Sequence, residues 1–344
     1  MIRFNNDYNC GCHPSVLAAM ERVNEQSFAG YGLDEICARA SETIKQRLGD
    51  VDVDVHFMLG GTQVNYTVIA AALRPYQGVV CVDSGHINVH ETGAVEAKGH
   101  KILACPAVDG KLTAEGLESI ALEYAESGIK EHITQPKLAF ISFPSETGSI
   151  YSKQELLDLR AVCDRFNMYL YIDGARLSYG LTSPKCDVAL ADIAQIADAF
   201  YIGGTKCGAM FGEAVVLRHP AFRENFRAYI KQNGAMLAKG WLLGLQFEAL
   251  FENDRYFEIA RSANVLAGRI RDAFVARGIP MDADSPTNQQ FVVLTSEQMR
   301  TLEGKYVFEY ERRVSDNLHC VRFCTSWSTT EADVDALVAD IATL

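Results

Sequence analysis

Between about residues 55 and 220 short apolar runs alternate with longer stretches of helical period. The runs read VHFML, VVCVD, KILACP, KLAFISF, MYLYID, AFYIGG and EAVVLR. Several are apolar at consecutive positions, which a strand needs when helices cover both faces of its sheet. The intervening stretches carry helix start signals. Ser152 and Glu155 in SKQE have capping-box spacing ahead of LLDLRAVCDRF. Pro14 stands where a first helical turn tolerates proline, opening PSVLAAMERV. The alternation predicts an α/β domain with a largely parallel sheet.

The pattern changes near Trp241. One long helical stretch is expected through LLGLQFEALFENDRYFEIARSANVLAGRIRDAFVARG, followed by two short strands, QQFVVLT and CVRFCTSW. Ser328 and Glu331 are expected to cap a final helix, TEADVDALVADIATL. The expected organisation is therefore a large α/β domain over residues 31–240 and a smaller α+β domain over 241–344. Residues 1–30 form an N-terminal segment packing on the small domain or on a neighbouring subunit.

Composition narrows the class. A chain of 344 residues that is 48% hydrophobic and 22% charged can bury a sizeable core. Its formal net charge of -12 argues against nucleic acid or an anionic membrane as a main partner. No run is apolar and long enough to span a bilayer, and MIRFNNDYNC lacks the apolar core of a signal peptide. A cytoplasmic protein is expected. Ten cysteines are scattered without CxxC pairs, which reads as small core residues in a reducing compartment. Cys10, Cys12 and His13 in CGCH are the tightest group, but the spacing is wrong for a zinc knuckle. A cofactor-free metal-binding or partner-binding protein built around CGCH is the remote alternative; the primary reading assigns no metal.

Three strand ends carry unusual chemistry, and ligands of open α/β sheets bind beyond such ends. After VHFML come two glycines and Thr62, a strand-to-helix turn where free amides and the helix dipole would meet an anion. Asp173 closes the run MYLYID, and Arg176 follows within the same turn. Asp173 is either a helix cap or an anion that holds a cation such as a protonated pyridine nitrogen. Lys206 is the only charge in FYIGGTKCGAM, at the mouth of a buried hairpin. It is either a solvated loop lysine or an amine whose pKa burial lowers, ready to form a Schiff base. Anion cradle, carboxylate and lysine together suit pyridoxal 5'-phosphate.

At these residues the chain resembles the threonine aldolase and β-eliminating lyase group of fold-type I pyridoxal phosphate enzymes. GGTQVN, DSGHINVHETGA, SETGSIYS, YIDGARLS, FYIGGTKCG with FGEAVV, and VRFCTSWSTTEADV fall in that family's order and span nearly the whole chain. The resemblance implies that Lys206 carries the cofactor as a Schiff base and that Asp173 pairs with the pyridinium nitrogen. It implies that Gly61 and Thr62 bind the phosphate and that His86 stacks on the ring. Asn6 stands where many members have a serine near the substrate carboxylate. Arg176 and Arg322 match arginines that bind cofactor or substrate carboxylate. Tyr31 matches an element reading YGED in many members and YGLDE here, so Leu33 departs from it. FPSETGS stands where many members have a histidine-containing THNR-like stretch, and KQNGAMLAKG replaces a glycine-rich segment.

The implied activity is retro-aldol cleavage of L-threonine, L-allo-threonine or a related β-hydroxy-α-amino acid to glycine and an aldehyde. His86 acts as the base or orients a water that does. β-Elimination or transamination on the same scaffold is the alternative, because a fold does not fix a reaction. The resemblance also implies a homodimer or homotetramer with shared active sites, in which Tyr31 and Lys231 would reach a neighbouring pocket.

Overall fold

A computed structural model describes all 344 residues. Its strands, in chain order, are β1 (Ile2–Arg3), β2 (Asp54–Met58), β3 (Gln77–Val82), β4 (Ile102–Cys105), β5 (Gln135–Ser142) and β6 (Tyr169–Asp173). There follow β7 (Ala199–Gly203), β8 (Glu213–Leu217), β9 (Gln289–Thr295), β10 (Tyr306–Val307), β11 (Glu309–Arg313) and β12 (Leu318–Cys324).

Seven of them form one sheet in the order β2-β8-β7-β6-β5-β3-β4. The five from β4 to β7 run parallel, and β8 runs antiparallel between β7 and β2. Successive side chains of a strand point to opposite faces, so each strand feeds two cores. Val80, Ile141, Ile172, Phe200, Ile202 and Val216 enter one cluster. Val79, Phe140, Tyr171, Tyr201, Val215 and Leu217 enter the other. Burial on both sides is why these runs lack the alternation of a half-exposed strand. No helix is long and apolar enough to cross a membrane.

Register aligns the strand ends. Ser142 pairs with Asp173, Gly203 with Glu213, and Met58 with Glu213. Because β8 runs backwards, its first residue lies at the same sheet edge as the last residues of β5, β6 and β7. That edge collects three polar side chains from distant parts of the sequence.

A second, antiparallel sheet runs β11-β12-β9. It packs with the helices Arg255–Ala276 and Glu331–Ile341 around Ile270, Phe274, Val292, Val321, Phe323 and Leu337. Phe4 joins this cluster, and β1 pairs in parallel with β10, so the first residues are tied to the small core. Val16 and Ala19, by contrast, lie in the large one.

Two local expectations need correction. The stretch after Trp241 is two helices, Trp241–Phe251 and Arg255–Ala276, because Asn253 and Asp254 both adopt left-handed backbone (φ 55° and 59°). Asn and Asp tolerate that conformation better than other non-glycine residues. The first of these helices contributes Leu245, Phe247 and Leu250 to the large core. The final helix is capped by Thr330 with Asp333, not by Ser328 with Glu331. Ser328 instead bonds Ser326 through its hydroxyl and its amide. The expected caps at Pro14 and at Ser152 with Glu155 are present as read.

Candidate active site

A cavity of about 350 Å³ opens at the polar sheet edge. Its lining includes Gly61, Thr62, His86, Asp173, Arg176 and Lys206, so six of the residues singled out in the sequence meet in one place.

Asp173 is 5% exposed and satisfied by three donors. The Tyr201 hydroxyl donates to Oδ1 at 2.5 Å, the Ala175 amide to Oδ1 at 2.9 Å, and Asn65 Nδ2 to Oδ2 at 2.9 Å. Asn65 is held in turn by the Tyr171 hydroxyl at 2.8 Å and also donates to Glu91. A buried carboxylate persists only with such partners. Gly174 lets this turn press against β7: a side chain there would run into the Tyr201 carbonyl.

Lys206 sits in the loop between β7 and β8. Its amine makes no hydrogen bond and no ion pair, and it faces the cavity. Burial lowers its pKa, and the Arg176 guanidinium adds to the effect; Asp7, Asp173 and Glu213 oppose it. The loop is braced from below. Glu213, 4% exposed, accepts the Gly204 amide at 2.9 Å and the Thr205 hydroxyl at 2.8 Å. Burial pushes the Glu213 carboxyl up to about 8.

Arg176 is gripped by Asp7, with Nε–Oδ2 at 2.7 Å and Nη2–Oδ1 at 3.1 Å. Asn288 Nδ2 also donates to Asp7, at 2.9 Å. Burial acts to raise the Asp7 pKa, but the charges of Arg176 and Lys206 and the hydrogen bonds from Arg176 and Asn288 outweigh it and hold it at about 2. The fork leaves Arg176 Nη1 without a protein partner, so it remains available to an anion.

The helix Gly61–Ala72 starts at the cavity with no side-chain cap. The amides of Gly61, Thr62 and Gln63 precede its first intrahelical bond, from the Val64 amide to the Gly60 carbonyl. Three free donors at a helix N-terminus suit an anion. At Gly61 an added Cβ would lie 2.9 Å from the Tyr201 hydroxyl oxygen, so the absent side chain keeps this approach open. His86 is oriented by its ring Nδ1 against Glu91 Oε1 at 2.8 Å and by its amide on Glu146 Oε1 at 2.8 Å.

The other predicted residues lie elsewhere. Tyr8 lines the cavity, whereas Asn6 accepts the Tyr8 amide on its side-chain oxygen at 3.0 Å. Arg322, on β12 and outside the cavity lining, donates to the Asn5 carbonyl and pairs with Glu311, both at 3.3 Å, with Nε unpartnered. Tyr31 lines a separate cleft, and the Lys231 amine lies 5.0 Å from its ring centre. His13, from CGCH, caps the helix Pro14–Val23 by accepting the Ser15 amide. Sequence reasoning missed Asp7, Asn65, Tyr201, Glu146 and Glu213. Glu213 alone left a signal, as a carboxylate inside an otherwise apolar run.

Comparison with known proteins decides the family. The model of the β-eliminating lyases matches residues 9–297. The chain belongs to the threonine aldolase and β-eliminating lyase family of fold-type I pyridoxal phosphate enzymes. Members with full-length similarity include a low specificity L-threonine aldolase from a Pseudomonas species, 29% identical over 98% of this chain and 96% of its own. The structure of a threonine aldolase from Leishmania major superposes with a TM-score of 0.97 at 42% identity, over 100% of this chain and 99% of that one. An aspartate aminotransferase from Thermus thermophilus shares the fold at a TM-score of 0.73 and 16% identity, covering 100% and 91%.

The residues present fit the family's cofactor. An unpartnered amine faces the cavity, a carboxylate held by three donors stands at its wall, and a helix N-terminus presents free amides. Lys206, Asp173 and the Gly61–Thr62 turn would hold the aldehyde, the ring nitrogen and the phosphate in that order.

Proposed function

We propose that the protein cleaves L-threonine, L-allo-threonine or a related β-hydroxy-α-amino acid to glycine and an aldehyde, with pyridoxal 5'-phosphate bound at Lys206. The observation that carries this reading is the half-buried Lys206 amine, without a protein partner and facing a cavity it shares with Asp173. Full-length similarity to aldolases that act on L-threonine supports the substrate.

The chemistry the cofactor supplies when bound is a protonated pyridine ring that accepts the electron pair left on an amino acid's α-carbon. The chain's own groups arrange for that. Asp173 holds the proton on the ring nitrogen, and its three donors fix its direction. The Gly61, Thr62 and Gln63 amides anchor the phosphate. Lys206, its pKa lowered by burial, gives up its proton more readily than a free lysine, which favours Nζ as the nucleophile toward the aldehyde and as a group that takes or gives protons there. Arg176, braced by Asp7, turns Nη1 toward the substrate carboxylate. With the carboxylate held, the Cα–Cβ bond is set for cleavage. In the assembled enzyme, a homodimer or homotetramer, Tyr31 and Lys231 of one subunit complete the pocket of its neighbour.

The test is to supply purified protein with pyridoxal phosphate and L-threonine. Glycine and acetaldehyde in equal amounts support the reading. Release of ammonia and a keto acid, with no glycine, contradicts it and favours β-elimination.

A further inference from the structure

Glu146 has no part in the scheme above, yet it lines the same cavity. It lies in the loop that follows β5, beside the strand end that carries Ser142. One of its oxygens is fully committed: Oε1 accepts the His86 amide at 2.8 Å and the Ser142 hydroxyl at 2.8 Å. No other residue hydrogen-bonds to Oε2, which is nevertheless not sealed in protein. The carboxyl group is thus aimed by one oxygen and left open to the cavity by the other.

The other acids that line the cavity are spoken for, as is Asp7 behind Arg176; Glu91, behind His86 and Asn65, keeps Oε2 unpartnered but buried outside the lining. Asp173 is occupied on both oxygens, and Asp7 holds Arg176 and Asn288. Both oxygens of Glu213 accept hydrogen bonds from the lysine loop. Among the cavity carboxylates, Glu146 alone keeps an oxygen without a partner residue. Burial raises its pKa, and the charge of Asp173 adds to that, which brings the group closer to a pH where it both takes and releases a proton.

Resting on the retro-aldol reading, we infer that Glu146 is the general base that removes the proton from the substrate's β-hydroxyl. Oε2 receives that proton. The O–H electron pair becomes the second bond of the aldehyde carbonyl. The Cα–Cβ pair stays with the α-carbon, with the pyridoxal cofactor as electron sink, and one proton then completes glycine. Oε2 then releases its proton to solvent, and the α-carbon takes its proton from Lys206 Nζ, which is recharged from solvent, so the protons balance and the carboxylate is regenerated without Glu146 touching the α-carbon. In this assignment His86 orients the site: its amide fixes Oε1, and its ring is tied to Glu91.

Glu146→Gln tests this, because an amide keeps an acceptor at the Oε1 position and removes the base. Four readings are compared on wild-type and variant holoenzyme: the visible spectrum of bound cofactor, its titration by glycine, exchange of the glycine α-proton in deuterium oxide, and cleavage of L-threonine. Glycine has no hydroxyl, so the first three bypass the proposed step. They should be preserved, while cleavage falls by about 10²- to 10⁴-fold, the usual worth of a general base. Glu146→Asp, which restores a carboxylate at shorter reach, should recover part of the loss. Near-normal cleavage by Glu146→Gln would overturn the assignment and pass the role to His86. Parallel loss of exchange and cleavage would also overturn it, making Glu146 a brace of the pocket. A wild-type enzyme that exchanges glycine but cleaves no β-hydroxy amino acid would sink the retro-aldol reading itself, and this role with it.

Discussion

Two recesses of nearly equal size, about 350 and 340 Å³, lie on this chain, and only one has the makings of a catalytic site. The cavity at the sheet edge gathers buried groups whose protonation burial has shifted: Lys206 is pushed down and Glu213 and Glu146 are pushed up. The cleft beside Tyr31 is lined by Leu33, Phe57, Ile230 and Leu243. Asp34 and Arg227 also line it, but its two groups shifted by burial are silenced. Burial holds the His56 ring at about 4 and raises the Cys37 thiol to about 12, so both are neutral near pH 7. An acid and an amine shifted toward each other's range can exchange protons; a neutral thiol and a neutral imidazole in an apolar cleft offer surface for packing. Volume does not separate the two recesses; the direction in which burial has shifted their groups, toward pH 7 or away from it, does.

That contrast can be broken by substitution. The largest effect belongs to Lys206→Ala, which should abolish turnover and the visible absorption of lysine-bound cofactor, as read by a spectrum and a glycine assay. Asp173→Asn should retain cofactor but lower kcat by on the order of 10²- to 10³-fold, since a neutral partner no longer holds the ring proton. Wild-type turnover with cofactor bound would reduce Asp173 to a turn-capping residue. Asp7→Ala leaves the buried Arg176 guanidinium unpaired and should cost about 3–5 kcal/mol of stability in denaturant titration. It should also raise KM for threonine, because the fork that aims Arg176 is lost.

A smaller effect is the pH dependence of two buried acids. Asp7 is held at about 2 against an ordinary 3.8, so its contribution to stability is present above pH 3.8 and is lost as pH falls through 2. Glu213 has the opposite sign. Raised to about 8 from 4.5, it contributes fully below pH 4.5 and loses that contribution as pH rises through 8. Glu213→Gln should therefore flatten the decline in melting temperature between pH 5 and 9; an unchanged decline would assign it to other groups.

The smallest effect on a single folded chain is expected in the cleft. Tyr31→Ala with Lys231→Ala should leave the fold intact and matter only for a neighbouring pocket. Subunits carrying those changes, mixed with Lys206→Ala subunits, should regain part of the activity. No recovery in proven mixed oligomers would confine Tyr31 and Lys231 to their own chain.

Much of the site was legible because its parts sit at strand ends. Asp173 and Lys206 interrupt apolar runs, and an ionisable residue in such a place needs a reason. The turn at Gly61 was legible for its paired glycines. The supporting groups were hidden by sequence distance and by ordinary appearance. Asp7 meets Arg176 across 169 positions, and nothing local marks it, although its neighbour Asn6 was singled out. Tyr201 reads as one more aromatic in a buried strand until its hydroxyl is found on Asp173. Glu146 sits in a polar loop, where a glutamate attracts no notice. The break at Asn253 and Asp254 was missed because hydrophobic period continues through it, while backbone hand does not.

The central claim is that Lys206 anchors the cofactor, and reduction with borohydride tests it most directly. The holoenzyme is reduced, digested and mapped for the peptide that carries the pyridoxyl group. The label is predicted on Lys206 alone, within FYIGGTKCGAM, and addition of L-threonine before reduction should diminish it. A label on any other lysine, or no label on a protein that binds pyridoxal phosphate, would contradict the account.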